Sequence, residues 1–339
     1  MCPAACGMSE IELHRKLLGD TVRNRALQAA LKRLIKPGMT TVADIGAGTG
    51  FLSFLARQLG AKHCDLYEYS GALELAQALA RKNRITNLSF IHTHSSEIRN
   101  PPKVDLVISE TLGNFALEEN LLETLVDARR FLKPGGAMLP CGLKQFVAPV
   151  IHQRLQDEID IWPRVGFDLD LDAARELSLN NMYVKNVQAA DMPGKDSARL
   201  WDQIDFRSTG KPPASLRKSS VRWKGGEILN PSPQPPPAEP APDSIRGGGG
   251  VKIYGFALWW EVELAPGISI STSPFAEPTH WDQIYLPLLT PVAPQASDVL
   301  ELELCSDTRA DVRLGWTSRL LRKGKTVQRI TQNSFRGRL

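Results

Sequence analysis

The sequence predicts an α/β protein in which a parallel sheet covered by helices is followed by an antiparallel β domain. Three observations carry this. Short apolar runs alternate with helical stretches over the first 131 residues, a glycine-rich turn follows the first run, and strict polar–apolar alternation replaces that pattern after Lys133-Pro-Gly-Gly136. Strands buried on both faces read as continuous apolar runs, whereas a sheet with one wet face alternates.

From Ile11 to Ile35 apolar residues recur at helical spacing until Pro37-Gly38, so one helix is expected there. Strands are expected at Thr41–Ile45, Lys62–Tyr67, Leu88–His92 and Val104–Ser109, with helices at Phe51–Leu59, Ala72–Arg81 and Glu118–Phe131. Farther on, Phe256, Leu258, Trp260, Val262 and Leu264 share one face of a strand, as do Leu300, Leu302 and Leu304, whose opposite face carries Glu301 and Glu303. Ile151–Val184 is more helical and reads as an excursion from the sheet. The stretch 231–250 is proline-rich and then glycine-rich, and is expected to be an unstructured loop between strands. The expected domains are 1–142 and 143–339, with the helical excursion at about 153–190.

The 339 residues, 42% hydrophobic and 23% charged, suffice for two buried cores. Five cysteines without a CxxC pair argue against a disulfide framework and a zinc site, and point to a reducing, cytoplasmic setting, or a nuclear one in a eukaryote. No metal is expected. No run of apolar residues is long enough to span a bilayer. A net charge of +4 includes a basic tail from Ser318 to Leu339, read as a protected edge strand, which makes nucleic acid a minor hypothesis.

Val42-Ala-Asp-Ile-Gly-Ala-Gly-Thr-Gly50 runs from strand to helix, and its glycines at 46, 48 and 50 let a ligand approach the backbone. Glu68 ends the second strand where an acidic residue commonly holds a ribose diol. The spacing alone leaves a nicotinamide dinucleotide open. Asp44 beside the loop suits a ligand carrying an ammonium better than a pyrophosphate, which it would repel. S-adenosylmethionine carries an ammonium, a sulfonium, a ribose and an adenine. Nine positions apart after the fourth strand stand Glu110 and Glu119, and two carboxylates converging there want a cation.

Asp44-x-Gly46-x-Gly48-x-Gly50, Glu68 and Val104-Asp-Leu-Val-Ile108 together resemble class I S-adenosylmethionine-dependent methyltransferases. Within that superfamily, Ser109-Glu110-x-x-Gly113 with Glu119 is similar to the double-glutamate loop of protein arginine N-methyltransferases. Thr279-His280-Trp281 resembles that family's loop in its β domain, His14, Asp20 and Arg23 fall at its spacing on the first helix, and Gly166-Phe-Asp-Leu-Asp-Leu171 resembles the entry to its dimerisation arm. The resemblance implies a Rossmann-like domain, a mostly antiparallel β-barrel with a helical dimerisation arm, a homodimer, and an arginine-containing protein or peptide substrate, Arg/Gly-rich segments included. Thr111, Leu112 and Asn114 stand where the family commonly has tryptophan, methionine and tyrosine. Other readings are a methyltransferase for a small guanidine, amine or peptide natural product, or a silent cofactor-binding relative.

A guanidinium holds its proton to at least about pH 12, so its nitrogens are poor nucleophiles. Glu110 and Glu119 would accept its N–H fork, stop it rotating and draw charge from the attacking nitrogen. Each such charge pair is worth about 4 kcal/mol at about 4 Å with an effective dielectric near 20, and in-line orientation about 7–11 kcal/mol. The resemblance further implies that His280 with Asp20 takes the departing proton, and that Trp281 touches substrate. It places Arg23 on the cofactor carboxylate, Glu68 on its ribose, His14 among the cofactor-binding residues, and Ser95 or Ser96 on its adenine side. Arg246 in its glycine-rich setting reads as a candidate for automethylation.

Overall fold

A computed structural model describes residues 10–208, 212–230 and 250–337. The loop at 231–249 with Arg246, and the segment 1–9, lie outside the described residues. Helices α1 (Glu10–Gly19) and α2 (Thr21–Leu34) lead into β1 (Thr41–Ile45), α3 (Phe51–Gln58), β2 (His63–Tyr67), α4 (Ala72–Lys82), β3 (Leu88–Ile91), β4 (Val104–Ile108), α5 (Leu121–Ala128) and β5 (Leu132–Leu139). The strands form one parallel sheet in the order β3-β2-β1-β4-β5. The order reverses between β1 and β4, so a crevice opens at the carboxyl ends of those two strands. The register sets Asp44 beside Ile108, which brings the glycine loop and Glu110 to the same end of the sheet.

The expected single helix is instead two. Asp20 has extended backbone angles (φ −78°, ψ 97°) and caps α2, its Oδ1 accepting the Arg23 N–H at 2.8 Å. The helical period continues across this break, because a cap changes direction without disturbing the apolar stripe. The expected helix from Glu118 likewise starts only at Leu121, since Glu119 and Asn120 both take φ +57°. Lys133-Pro-Gly-Gly136, read as a boundary, lies inside the fifth parallel strand. A register shift between Val104 and Leu106 of β4 absorbs it at the sheet edge, where proline and glycine are tolerated.

The second half comprises β6 (Gly142–Val150), α6 (Arg154–Ile159), α7 (Asp172–Leu179), β7 (Tyr183–Lys185), β8 (Arg199–Asp205), β9 (Leu216–Lys224), α8 (Gly225–Leu229), β10 (Ile253–Ala265), β11 (Ile268–Ser271), β12 (Gln283–Val292), β13 (Val299–Asp307), β14 (Arg313–Arg322) and β15 (Lys325–Asn333). One antiparallel sheet runs β7-β12-β10-β6-β8 with β11 on β10, and a second runs β15-β14-β13-β9. They meet where β8 lies beside β9 and β12 beside β15. Between them Trp223 stacks on Phe256 at 5.9 Å, and Leu300, Leu302, Leu304 and Trp316 fill the interior.

The wet face expected for β10 is dry over its central part. Ala257 and Trp259 are buried there with Tyr285, Leu155 and Leu179, so the excursion carrying α6 and α7 covers the outer side of the sheet. The outer face of β13 carries charged residues as expected but is shielded: Glu301, 9% exposed, lies between Arg222 and Arg319 across the strands. On the other side, α2 packs against α3 and also against β10 and β11, which ties the N-terminal helix to both halves.

Candidate active site

The loop after β1 is folded back on β2: the amides of Gly46 and Ala47 both donate to the Tyr67 carbonyl, at 2.9 and 3.1 Å. Gly48 (φ +53°) donates to Glu68 Oε2 at 2.9 Å, and a Cβ on Gly48 would lie 2.8 Å from the His14 ring. Both oxygens of Glu68 face backbone amides, the second being that of Ser70 at 2.8 Å. His14 from α1 thus forms one wall of the loop and Glu68 its brace.

Asp44, 2% exposed, accepts a 2.7 Å bond from the Ser53 hydroxyl. Burial lifts its carboxyl to about 6, against the Ser53 bonds, and the charges of Glu68 and Glu110 push the same way. A carboxyl whose folded value exceeds its unfolded one stabilises the fold at low pH and loses that effect as pH rises through about 6. Relative to wild type, Asp44→Asn is therefore expected to become more stable by about 1 kcal/mol between about pH 5 and about pH 7, read from urea unfolding at each pH.

Glu110 follows β4 directly and is the partner of Arg23. Arg23 Nε donates to Glu110 Oε2 at 2.8 Å and Nη2 donates to the same oxygen, with the two side chains only 7% and 4% exposed. Oε1 of Glu110 remains directed at the Leu112 amide at 3.4 Å. Arg23, expected at a cofactor carboxylate, is in this structure the cation that holds the first glutamate. Glu119 keeps an exposed surface, but surrounding protein and the charge of Glu110 push its carboxyl up. Burial pushes neighbouring Glu118 up to about 7. Its carboxylate occupies the space over Gly113, where a Cβ would come within 2.1 Å of Oε2.

His280 is held by Asp20 across the two halves. Asp20 Oδ2 accepts the His280 backbone N–H at 2.8 Å and the ring Nδ1 at 2.7 Å. Burial alone would raise the Asp20 carboxyl, but the Arg23 amide and the His280 ring and amide hold it below its ordinary value. Burial lowers His280 despite Asp20. A carboxylate can only accept, so the ring carries a proton on Nδ1, and in its neutral form the lone pair lies on Nε2.

Trp281, expected to touch substrate, is 4% exposed and donates its indole N–H to the Leu112 carbonyl at 2.9 Å. It supports the glutamate loop from behind. Two further groups hold the same loop and were not recognised in the sequence. Trp260 donates to the carbonyls of Gly113 and Asn114 at 3.1 and 3.2 Å, and the Asp282 amide donates to the Asn114 side chain at 2.9 Å. Trp260 and Trp281 pack edge to face at 4.9 Å. A buried indole needs a partner for its N–H, and that was the signal available in the strand around Trp260. Asn114, one of the three positions where the loop departs from the resemblance, is a pin between the two halves.

Ser95 and Ser96 form a 3-10 turn after β3 (Ser95–Glu97); Ser95 is buried, and the Ser96 hydroxyl pairs with His94 Nδ1 at 2.7 Å. Among the described residues no hydrogen bond ties either serine to the glycine loop. Nor do the described residues contain a cluster of His, Cys, Asp and Glu able to hold a metal.

Comparison with known proteins agrees with this geometry. A methyltransferase-domain model matches residues 35–166, and the arginine methyltransferase oligomerisation-subdomain model matches residues 144–317, half of the chain. The chain is 30% identical to protein arginine N-methyltransferase 6 of Xenopus tropicalis over 284 residues, covering 82% of this chain and 78% of that protein. It is 29% identical to protein arginine N-methyltransferase 1 of Dictyostelium discoideum, over 81% of this chain and 75% of that one. In fold it is similar to a chain of the Trypanosoma brucei PRMT1 enzyme–prozyme heterotetramer with AdoHcy, with a TM-score of 0.75 at 20% identity, covering 94% of this chain and 98% of that one. With a family model over half of its length and a relative 30% identical over most of both chains, the chain belongs to the protein arginine N-methyltransferase family.

Proposed function

We propose that this protein transfers methyl groups from S-adenosylmethionine to guanidinium nitrogens of arginine in proteins or peptides. One observation carries the reading: Asp44, Glu68 and Glu110 gather at the carboxyl ends of β1, β2 and β4, where the charges of Glu68 and Glu110 raise Asp44 and that of Glu110 raises Glu119, with His280 within reach of the Glu110 charge. Such a cleft favours cationic ligands.

The residues fit the cofactor. Its amino and sulfonium groups match the anionic wall, and the Thr111 hydroxyl, buried without a protein partner, lies beside Gly46, where a Cβ would be 3.3 Å from Thr111 Cγ2. When bound, the cofactor supplies an electrophilic methyl on a sulfonium. Glu68 and the glycine loop would hold its ribose side, with His14 closing the loop from α1. Glu119 and Oε1 of Glu110, which holds only the long 3.4 Å bond from the Leu112 amide, would accept the substrate fork, with Arg23 fixing Glu110 through Oε2. His280 Nε2 would receive the departing proton, and Asp20 would steady the resulting imidazolium. Calorimetric titration with S-adenosylmethionine and with NADH tests the ligand class: saturable binding of the first alone supports the reading, and binding of NADH alone overturns it.

The arm implies self-association. Phe167 is 87% and Leu169 64% exposed, and Ile161 and Val165 lie nearby on the same excursion. Large exposed apolar side chains grouped in this way mark contact surfaces. Phe167→Asp is expected to shift a dimer toward monomer in sedimentation velocity without changing the unfolding midpoint of the monomer.

A further inference from the structure

A second cavity lies away from the carboxylate crevice. It has a volume of about 760 Å³ and runs along β5, the last strand of the parallel sheet, between the two halves of the molecule. Its apolar wall comes from both. Leu34, Leu132 and Met138 face it from the first half, and Phe206, Ala265 and Pro266 from the second. Every charged side chain on its wall is a cation: Lys103, Arg129, Lys133 and Arg207. The remaining polar side chain, the Cys141 thiol, is pushed up to about 11 by burial and is neutral.

Two of the four cations are already compensated. Lys133 pairs with Asp105 at 2.9 Å, and Arg207 pairs with Asp205 at 2.9 Å and reaches Glu263 at 3.6 Å. The other two have carbonyls as their hydrogen-bond acceptors. Lys103 donates to the Arg130 carbonyl at 2.5 Å and Arg129 to the Phe206 carbonyl at 3.1 Å, and neither makes an ion pair among the described residues. The charge of Arg129 is felt at Asp205 without a contact between them, and Lys103 is exposed, so both cations keep donors free for a ligand; with apolar walls and a volume typical of a small-molecule site, they suit an amphipathic anion.

We infer that this cleft binds a small monocarboxylate on an apolar body, its carboxylate between Lys103 and Arg129 and its apolar part against β5, Phe206 and Pro266. The carboxylate crevice repels such a ligand, so the two sites select opposite charges. Because one wall belongs to each half, occupancy bridges the two.

Sodium decanoate is a direct probe, with decyltrimethylammonium as the same body carrying the opposite charge. Calorimetry on the full chain is expected to show saturable binding of decanoate and none of the cation, unchanged by S-adenosylhomocysteine. Lys103→Glu, at an exposed position, is expected to weaken decanoate about tenfold. Ala137→Phe, which fills the cavity, is expected to remove binding, and its folding is checked by unfolding midpoint. No saturable decanoate binding to wild type, equal binding of the cation, or unchanged binding in a folded Ala137→Phe protein would each overturn the inference.

Discussion

Glu119→Gln is expected to lower methyl transfer to arginine by about 100- to 1000-fold while leaving cofactor affinity unchanged. The substitution keeps size, exchanges one accepting oxygen for a donating amide, and removes the charge that would orient the guanidinium and draw positive charge from its attacking nitrogen. Glu119 has no bond to the glycine loop, and its φ of +57° is as accessible to glutamine as to glutamate. A loss confined to the chemical step, read as kcat falling with the dissociation constant for S-adenosylmethionine unchanged, places the carboxylate on the substrate. An unaltered kcat sinks that assignment.

The second large effect belongs to Arg23. Removing it leaves Glu110, 4% exposed, as a buried carboxylate without a cation. Breaking a buried pair in this way costs about 3–5 kcal/mol, because the remaining charge must be desolvated alone. Arg23→Met is therefore expected to lower unfolding free energy by that amount in urea denaturation. Arg23→Met with Glu110→Gln is expected to recover most of the loss, since no charge then remains unpaired. A loss below about 1 kcal/mol would mean that solvent reaches the pair and that Glu110 is not held as described.

Much of this was visible in the chain because its signals are local. Continuous apolar runs and a glycine loop follow directly from strands buried on both faces and from a backbone that a ligand must approach. Elements whose form depends on distant partners were not visible. Asp20 interrupts a good helical stripe by capping the second helix, and its second oxygen goes to His280, 260 residues away. The fifth strand contains Pro134, Gly135 and Gly136, which local propensity reads as a stop but an edge accepts. Trp259 alternates as a solvent-facing residue and is buried by the arm.

The site divides in the same way. Glu110, Glu119, His280 and Asp20 were found by motif spacing, and the structure brings His280 onto Asp20 and sets Glu119 near Glu110. The Arg23–Glu110 pair, the Trp260 and Trp281 clamps and the Asn114 pin join segments 87 to 169 positions apart. No periodicity reports contacts of that kind.

The central claim is that the double-glutamate loop presents arginine for methylation. Its most direct test is transfer of tritium from methyl-labelled S-adenosylmethionine to an Arg/Gly-rich peptide and to the same peptide with lysine at each arginine, followed by acid hydrolysis and separation of the labelled amino acids. The account predicts label in methylarginine from the first peptide, none from the second, and loss of that label in Glu119→Gln. Equal labelling of the lysine peptide, or arginine labelling undiminished in Glu119→Gln, would contradict it.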